Sequence, residues 1–426
     1  MTQISVAKQG KITAQVKQVA RSEKIASEVI RRKVAAGHIV IPYNSIHAPC
    51  ALGIGTGLRV KVNANIGTSR EYCNIREEVE KAKAAVAAGA HAVMDLSTGG
   101  DLDAIRRRLL TTVPVPFGTV PIYQAGIEAI TRRGSIVEMT ADDMFSMVER
   151  QAKQGVDFAV VHVGVTKVSV ERLRKQKRLI PMVSRGGSFH MAWILHHGLE
   201  NPFYEEFGYL LEIAKRYDLT LSLGDGMRSG ALADSNDRAK FQELLLIGEL
   251  VEKARKAGVQ TMVEGPGHMP LSDIQANIQV MKTVTNNAPY FVLGPLVTDI
   301  APGYDHFVGG IGGAFAGFCG ADFLCYVTPA EHLCLPDTQD VRDGVVATRI
   351  AAHAADLARG VDRAVDASFS AAREDLDWEK MFRLCIDPMR AKQYRAKRKP
   401  SEDTSACSMC GNLCALELVK KYLKNK

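Results

Sequence analysis

Three cysteines near the end of the chain have a spacing that suits metal chemistry. They are Cys407, Cys410 and Cys414, in the segment CSMCGNLC, and the other six of the nine cysteines are scattered. Three thiolates this close together can hold one 4Fe–4S cube and leave one of its irons open. The open iron can chelate S-adenosylmethionine, whose reductive cleavage gives a 5′-deoxyadenosyl radical that takes hydrogen from unactivated carbon.

Two other kinds of chemistry stay open for this segment. A zinc site needs a fourth ligand, which a distant histidine or cysteine would have to supply. A set of redox-active thiols is the other alternative. A zinc-dependent hydrolase would be colourless, whereas a redox-sensing binding protein would show thiol or cluster chemistry without turnover. The odd number of cysteines argues against a disulfide framework.

Polar side chains recur at the ends of short apolar runs along the chain. In a parallel barrel these positions converge on one face, and burying that many polar groups needs a reason other than stability. We therefore expect an active site at the carboxyl ends of the strands. The polar positions include Asn65, Asp95, Tyr123, His162, Ser184, Arg185, Asp225, Arg228, Glu264, His268, Asp299, Asp305, Glu331 and His332.

Two features of these loops predict particular ligands. Gly186 and Gly187 follow Arg185 and precede a helix-forming stretch, so backbone amides and the guanidinium could hold a phosphate, although ordinary tight turns would give the same pattern. His268 and His332 lie on different loops, where they either bind one metal ion together or bind substrate through hydrogen bonds.

The elements that must position these residues alternate between strand and helix patterns. Clear helices are expected over 75–89, 140–154, 239–258 and 338–358. This alternation favours an α/β fold, a (β/α)8 TIM-type barrel, over an open doubly wound sheet, because no glycine-rich dinucleotide fingerprint opens the first repeat. The candidate strands are 60–66, 91–96, 118–122, 157–163, 180–184, 219–223, 260–264 and 290–294, with 322–327 as a replacement for the last.

Three regions are expected along the chain. Residues 1–58 form a short N-terminal segment with two short helices, one of them over 22–35. Residues 59–360 form the barrel. Residues 361–426 are charged and helical, and we expect a C-terminal subdomain whose tail carries the cysteine cluster.

Composition and charge exclude several classes of protein. The chain has 426 residues, of which 46% are hydrophobic and 24% charged, which is typical of a globular protein. The formal net charge is +7, but the basic runs lack a regular interleaving of stacking aromatics, so no nucleic-acid partner is expected. No run of 18 apolar residues and no apolar leader is present, so we expect a cytoplasmic protein without membrane spans.

The motifs taken together resemble the thiamin pyrimidine synthase family of radical S-adenosylmethionine enzymes. The resemblance runs from about Ile41 to Cys414 and includes VNANIGTS, VMDLSTGG, GTVPIYQA, SRGGS, SLGDG, EGPGH, LGPLVTDIAPGYDH and ADFLCYVTPAEHL. It implies a homodimeric (β/α)8 barrel that rearranges 5-aminoimidazole ribonucleotide with an external low-potential electron donor.

The resemblance also assigns roles to residues. Glu264, Asp225 and His162 are the expected catalytic residues. Cys407, Cys410 and Cys414 would bind the 4Fe–4S cluster, and His268 and His332 would bind zinc or iron. The expected substrate contacts are Asn65, Met94, Tyr123, His162, Ser184, Arg185, Gly186, Asp225, Gly226, Met227, Arg228 and Glu264.

Two departures from the family pattern bear on the product. An Asn-x-Asn-His turn reads here as Asn44-Ser45-Ile46-His47, and a substrate-contacting tyrosine is replaced by Phe291. Losing an amide and a phenol from the barrel mouth would change hydrogen bonding to a bound intermediate. We therefore expect the paralogue 5-hydroxybenzimidazole synthase, which makes a cobalamin lower-ligand precursor from the same ribonucleotide, with the thiamin pyrimidine synthase as the alternative.

Overall fold

The computed structural model describes residues 1–398 and 405–423. The chain divides into two compact units, Met1–Asp356 and Leu357–Lys426. The strands, all in the first unit, are β1 (Ile39–Val40), β2 (Ile54–Gly55), β3 (Lys61–Ile66), β4 (Ala92–Asp95), β5 (Phe117–Thr119), β6 (Phe158–Val161), β7 (Thr220–Leu223), β8 (Thr261–Glu264), β9 (Tyr290–Leu293) and β10 (Phe323–Cys325).

Nineteen α-helices are present among the described residues. They are α1 (Gln3–Lys8), α2 (Ala14–Glu23), α3 (Ser27–Ala35), α4 (Ile75–Ala87), α5 (Leu102–Leu110), α6 (Pro121–Arg133), α7 (Ala141–Gln154), α8 (Lys167–Lys175), α9 (Arg185–His197), α10 (Pro202–Glu205), α11 (Phe207–Tyr217), α12 (Arg238–Ala257), α13 (Leu271–Val284), α14 (Asp305–Cys319), α15 (Thr338–Ala358), α16 (Arg363–Glu374), α17 (Trp378–Leu384), α18 (Pro388–Lys397) and α19 (Ala415–Leu423). In the described part of the chain, none of them combines the length and the apolar character that crossing a bilayer requires.

Strands β3 to β10 form a closed parallel barrel in chain order, with β10 paired to β3. This confirms the predicted (β/α)8 barrel. The register sets residues side by side near the carboxyl ends, where Asn65 pairs with Met94 and Glu264 pairs with Phe291. Side chains of the mouth therefore come from strands whose relative positions are fixed by backbone hydrogen bonds.

Aromatic side chains fill the barrel interior below that mouth. Phe158 and Phe323, the first residues of β6 and β10, contact each other with ring centroids 6.4 Å apart. Phe323 also stacks on Phe291 at 4.3 Å. A Cβ at Gly118 on β5 would lie 2.3 Å from the Phe158 ring, so only glycine fits there. The packed interior gives the mouth a rigid floor.

Local sequence signals explain how the helices begin and end. Thr140 and Asp143 form a reciprocal capping box at the start of α7. Gly155, with φ 110°, ends that helix in the left-handed region that favours glycine. The four clear helix predictions are confirmed by α4, α7, α12 and α15, within a few residues at each end.

One strand prediction was wrong. Residues 180–184 form a loop that leads into α9, and both 290–294 and 322–327 contain barrel strands. The backbone amides of Leu179 and Ile180 donate to the Asp234 carboxylate at 2.9 and 3.0 Å. A side chain therefore accepts the hydrogen bonds that a neighbouring strand would otherwise accept. An apolar run of this length looks the same in sequence whether it enters a sheet or not.

The N-terminal segment packs on the amino ends of the strands. Thr2 Oγ1 donates to the carbonyl of Gly258 at 2.6 Å, and the amide of Ile41 donates to Gln260 Oε1 at 2.8 Å, both just before β8. The segment contains three helices where two were predicted. Lys24, with φ 56°, ends α2 inside the predicted 22–35 helix.

Candidate active site

A cavity opens at the carboxyl ends of the barrel strands. Half of the predicted substrate contacts line it: Asn65, Met94, Tyr123, His162, Arg228 and Glu264. The cavity wall also contains Phe291, Leu293 and Cys325. Most of these side chains lie at or just beyond the end of a strand, as expected for a barrel-mouth site.

Glu264, the last residue of β8, is the side chain in this cavity best suited to exchange a proton near neutral pH. Burial raises the pKa of its carboxyl to about 7, with the Arg228 charge acting in the opposite direction. Ser222 Oγ donates to Glu264 Oε1 at 3.4 Å. A carboxyl with a pKa close to the working pH is suited to general acid–base catalysis.

His162 lies just after β6 and is buried. Burial, together with the His190 and Arg228 side chains, holds its pKa well below the ordinary value, so the imidazole is neutral. Its Nδ1 is buried and has no hydrogen-bond partner among residues 1–398 and 405–423. A buried ring nitrogen without a partner is suited to bind a ligand in the cavity.

The amino end of α9 contacts this histidine directly. A Cβ at Gly186 would lie 2.2 Å from His162 Cε1, so the helix backbone packs on the ring. Ser184 caps the helix by accepting from the amide of Gly187 at 3.1 Å. The Arg185 guanidinium lies 5.1 Å from the centre of the Tyr123 ring, which lines the cavity. The predicted residues Ser184, Arg185 and Gly186 therefore lie together at the amino end of α9, whose positive polarisation is next to the cavity.

Side chains of α12 bind the loop that follows β7. Asp225 does not line the cavity, since its buried carboxylate contacts Lys240 Nζ. Glu243 accepts from the amides of Gly226 and Met227 at 2.8 and 2.9 Å. Burial and the Asp225 charge raise the pKa of Glu243 well above its ordinary value. Asp225, Gly226 and Met227 thus form a fixed loop, and proton transfer by Asp225 stays a prediction.

Sequence reasoning missed three residues of this region. Lys240 and Glu243 lie on the core-facing side of a helix, where their spacing is also that of ordinary core positions. Cys325 was grouped with the scattered cysteines, although its place at the end of β10 could have identified it. Asn65 Nδ2 donates to Cys325 Sγ at 3.0 Å, and burial raises the pKa of that thiol to about 12, so it stays protonated.

A second cavity adjoins the first and shares Arg228 and Leu293 with it. His268 and His332 lie there, with ring centroids 5.2 Å apart. His268 Nδ1 bonds Asp299 Oδ1 at 2.7 Å, and His332 Nδ1 lies 3.3 Å from Asp305 Oδ1.

The donor set of this second cavity fits a metal ion. A carboxylate on Nδ1 leaves Nε2 of each ring for a ligand, the usual arrangement around metal-binding histidines. Asp305 Oδ2 is buried without a hydrogen-bond partner in the described part of the chain. No three histidine, cysteine or acidic side chains in that part are gathered closely enough to form a complete site. The two histidines would therefore need further ligands beyond the described side chains.

The three clustered cysteines belong to the second unit. Cys407 to Cys414 form consecutive turns, with the amide of Cys410 donating to the Cys407 carbonyl at 3.3 Å. Hydrogen bonds from the backbone amides of Met409 and Cys410 lower the pKa of the Cys407 thiol. Desolvation and the charges of Cys407 and Cys414 raise the pKa of Cys410. Neighbouring thiols that interact in this way, one of them stabilised as thiolate, fit a cluster site.

The structure corrects the expected position of Ile46, one of the two departures from the family pattern. Ile46 is 62% exposed and lies at the opposite end of the barrel from the cavity. Its neighbours Asn44 and His47 bind the Asp157 carboxylate, just before β6, at 2.7 and 2.6 Å. Phe291 does line the cavity, whereas the Tyr290 hydroxyl donates to Asn277 Oδ1. Only the phenol is therefore missing from the mouth.

Comparison with known proteins gives matches along nearly the whole chain. The model of the Radical SAM ThiC family matches residues 2–421. A phosphomethylpyrimidine synthase from Moorella thermoacetica is 56% identical over 99% of this chain and 98% of its own. A protein of the same name from Desulforudis audaxviator is 58% identical over the same shares. Phosphomethylpyrimidine synthase 2 from Methanosarcina barkeri is 54% identical over 100% of this chain and 99% of its own.

Proposed function

The chain belongs to the Radical SAM ThiC family, and from this membership we propose that it acts as a phosphomethylpyrimidine synthase. It would convert 5-aminoimidazole ribonucleotide to 4-amino-5-hydroxymethyl-2-methylpyrimidine phosphate for thiamin synthesis. The observation that carries the proposal is full-length identity of 54–58% to relatives that bear this name. The family is an enzyme family that uses S-adenosylmethionine and an iron–sulfur cluster.

The residues beside the cavity suit a phosphorylated substrate. Arg185 and the first-turn amides of α9 offer positive charge and hydrogen-bond donors to a phosphate. The neutral His162 ring lines the cavity and would contact the ribose or the imidazole ring. Asn65 and Tyr123 complete the wall. These contacts would orient the ribonucleotide and exclude water from the reacting carbon atoms.

Proton movement is assigned to Glu264. Its pKa of about 7 allows it to accept a proton in one step and to return it in a later one. The neighbouring Arg228 Nε is buried without a partner among the described residues, so the guanidinium can stabilise negative charge that develops on the substrate. Asp225, held by Lys240, fixes the loop that carries Arg228.

Two groups would complete the enzyme. Cys407, Cys410 and Cys414 would hold a 4Fe–4S cluster, and His268 and His332 a zinc or iron ion. When bound, the cluster supplies one low-potential electron that cleaves S-adenosylmethionine and so provides the radical that attacks the ribonucleotide. Arg228 lines both cavities, so its guanidinium would contact a molecule bound in either of them. We also propose that the protein is cytoplasmic and that it forms a homodimer. Light scattering after size exclusion would test the homodimer.

One observation favours a second product. Phe291 replaces the phenol that the resemblance assigns to substrate binding, and it lines the cavity. The loss of that hydrogen bond is the remaining argument for 5-hydroxybenzimidazole.

The product assay separates the two candidates. The reconstituted, reduced enzyme is incubated anaerobically with 5-aminoimidazole ribonucleotide and S-adenosylmethionine, and the heterocycle is identified by mass. A phosphorylated pyrimidine is expected. A benzimidazole would replace this proposal by the second candidate. If neither heterocycle is formed, both candidates are overturned.

A further inference from the structure

The second unit has a strongly basic surface on α18. This helix contains Arg390, Lys392, Arg395 and Lys397 and no acidic residue, and Arg398 follows it directly. Arg390, Lys392, Lys397 and Arg398 are exposed, and we call these four side chains the α18 surface. A surface of one charge sign attracts partners of the opposite sign and repels others.

The α18 surface is joined to the cysteine segment by direct contacts. Ser408 Oγ, next to Cys407, donates to the carbonyl of Arg398 at 2.8 Å. Trp378 Nε1 donates to the carbonyl of Ser405 at 2.8 Å. The Arg395 guanidinium lies 3.5 Å from the centre of the Trp378 ring and so links α18 to the same contact. A protein bound at the α18 surface would therefore lie next to the three thiols.

Cations of this region lie over its own aromatic rings. Lys397 Nζ lies 4.0 Å from the centre of the Tyr394 ring, and Arg390 Cζ lies 5.5 Å from the same centre. Lys392 Nζ lies 5.6 Å from the centre of the Phe382 ring. Single-stranded nucleic acid stacks its bases on ring faces, and here a cation of this chain already lies over the Tyr394 and Phe382 rings, so this arrangement favours a protein partner.

We propose that the α18 surface is the docking site for a small acidic protein that donates single electrons. The proposal rests on the proposed function, because only a cluster-binding enzyme needs such a donor. In the step itself one electron leaves the reduced flavin or iron–sulfur group of the donor and enters the cluster on Cys407, Cys410 and Cys414. No bond is formed or broken, and no proton moves.

The test compares two electron sources on the reconstituted enzyme. The triple variant R390E/K392E/K397E reverses three charges of the α18 surface and keeps Arg395, which packs on Trp378. The matched control R172E/R174E/K175E reverses three exposed charges on α8 of the first unit. Cleavage of S-adenosylmethionine is measured with reduced flavodoxin and with dithionite, and binding of oxidised flavodoxin is measured by calorimetry.

The expected result separates docking from chemistry. The α18 variant should lose on the order of tenfold or more in kcat/KM for flavodoxin and a similar factor in affinity for its oxidised form. Its rate with dithionite should match wild type, as should both rates of the α8 control. An unchanged flavodoxin affinity in the α18 variant overturns the inference, as does binding of a short RNA in preference to flavodoxin. If the reconstituted wild-type enzyme does not cleave S-adenosylmethionine with dithionite, the proposed function is overturned instead.

Discussion

Glu243 accepts a hydrogen bond from the backbone amide of Gly226 at 2.8 Å, although its side chain does not line the cavity. Its second oxygen accepts from the next amide, that of Met227, at 2.9 Å. One carboxyl on α12 thus fixes two consecutive peptide units of the loop that carries Arg228 into the mouth. The position of the loop is therefore set by a helix rather than by the strand before it.

Glu243→Leu should weaken ribonucleotide binding more than it slows turnover. It leaves two buried amides without acceptors, which costs about 1–3 kcal/mol for each group. Steady-state kinetics should show KM for 5-aminoimidazole ribonucleotide raised about tenfold, with a smaller change in kcat. Glu249→Gln, on an exposed position of the same helix, is the control and should change neither value. A pure loss of kcat at constant KM would speak against a positioning role.

Glu264 should give the reaction a pH dependence near neutrality. Since the ionised form is the base, kcat/KM should rise with pH through an apparent pKa of about 7. Glu264→Gln should lower the rate about 10²- to 10⁴-fold and remove that limb from the profile. Persistence of the same limb in the variant would assign it to another group.

The same carboxyl should also affect stability. Its folded pKa is raised above the unfolded value of 4.5, so folding is not penalised below that pH and loses stability as pH rises from 4.5 through about 7. Glu264→Gln should therefore stabilise the protein at pH 8 by roughly 3 kcal/mol relative to its effect at pH 4. Denaturant unfolding at the two pH values measures this difference, and an equal effect at both would contradict it.

Gly186→Ala should displace His162. The new Cβ would lie 2.2 Å from the imidazole, so the ring or the helix backbone must shift, and the ring can move only toward the cavity that it lines. We expect a destabilisation of about 1–3 kcal/mol and a raised KM for the ribonucleotide. Gly208→Ala is a suitable control, since a Cβ there meets no atom within 4 Å. Full ribonucleotide affinity in the Gly186 variant would show that this contact is not needed.

Asp299→Asn should weaken metal binding in the second cavity. The carboxylate orients His268 through its Nδ1, and loss of such a partner lowers metal affinity about 10- to 100-fold. Zinc or iron content after dialysis against a chelator measures the change. Asp273→Asn, which removes a carboxylate bonded to Ser235, serves as the control. Equal metal content in the two variants would contradict a metal role for His268.

The alternation of strands and helices was sufficient to predict the barrel and its polar mouth. Chain order alone could not show that residues 180–184 meet Asp234 instead of a strand, because that contact joins residues more than 50 positions apart in sequence. It also could not place Ile46, since a segment before the first barrel strand can lie at either end. Lys240 and Glu243 were missed because buried charges on a helix have the spacing of its apolar core positions.

Cleavage of S-adenosylmethionine by cysteine variants tests the central claim most directly. Cys407→Ala, Cys410→Ala and Cys414→Ala are each reconstituted anaerobically with iron and sulfide beside Cys385→Ala, which changes a cysteine of the same unit outside the CSMCGNLC segment. Formation of 5′-deoxyadenosine is then measured with dithionite. We expect it only in the wild type and the Cys385 variant. Undiminished cleavage in any of the three others would contradict a cluster held by these thiols.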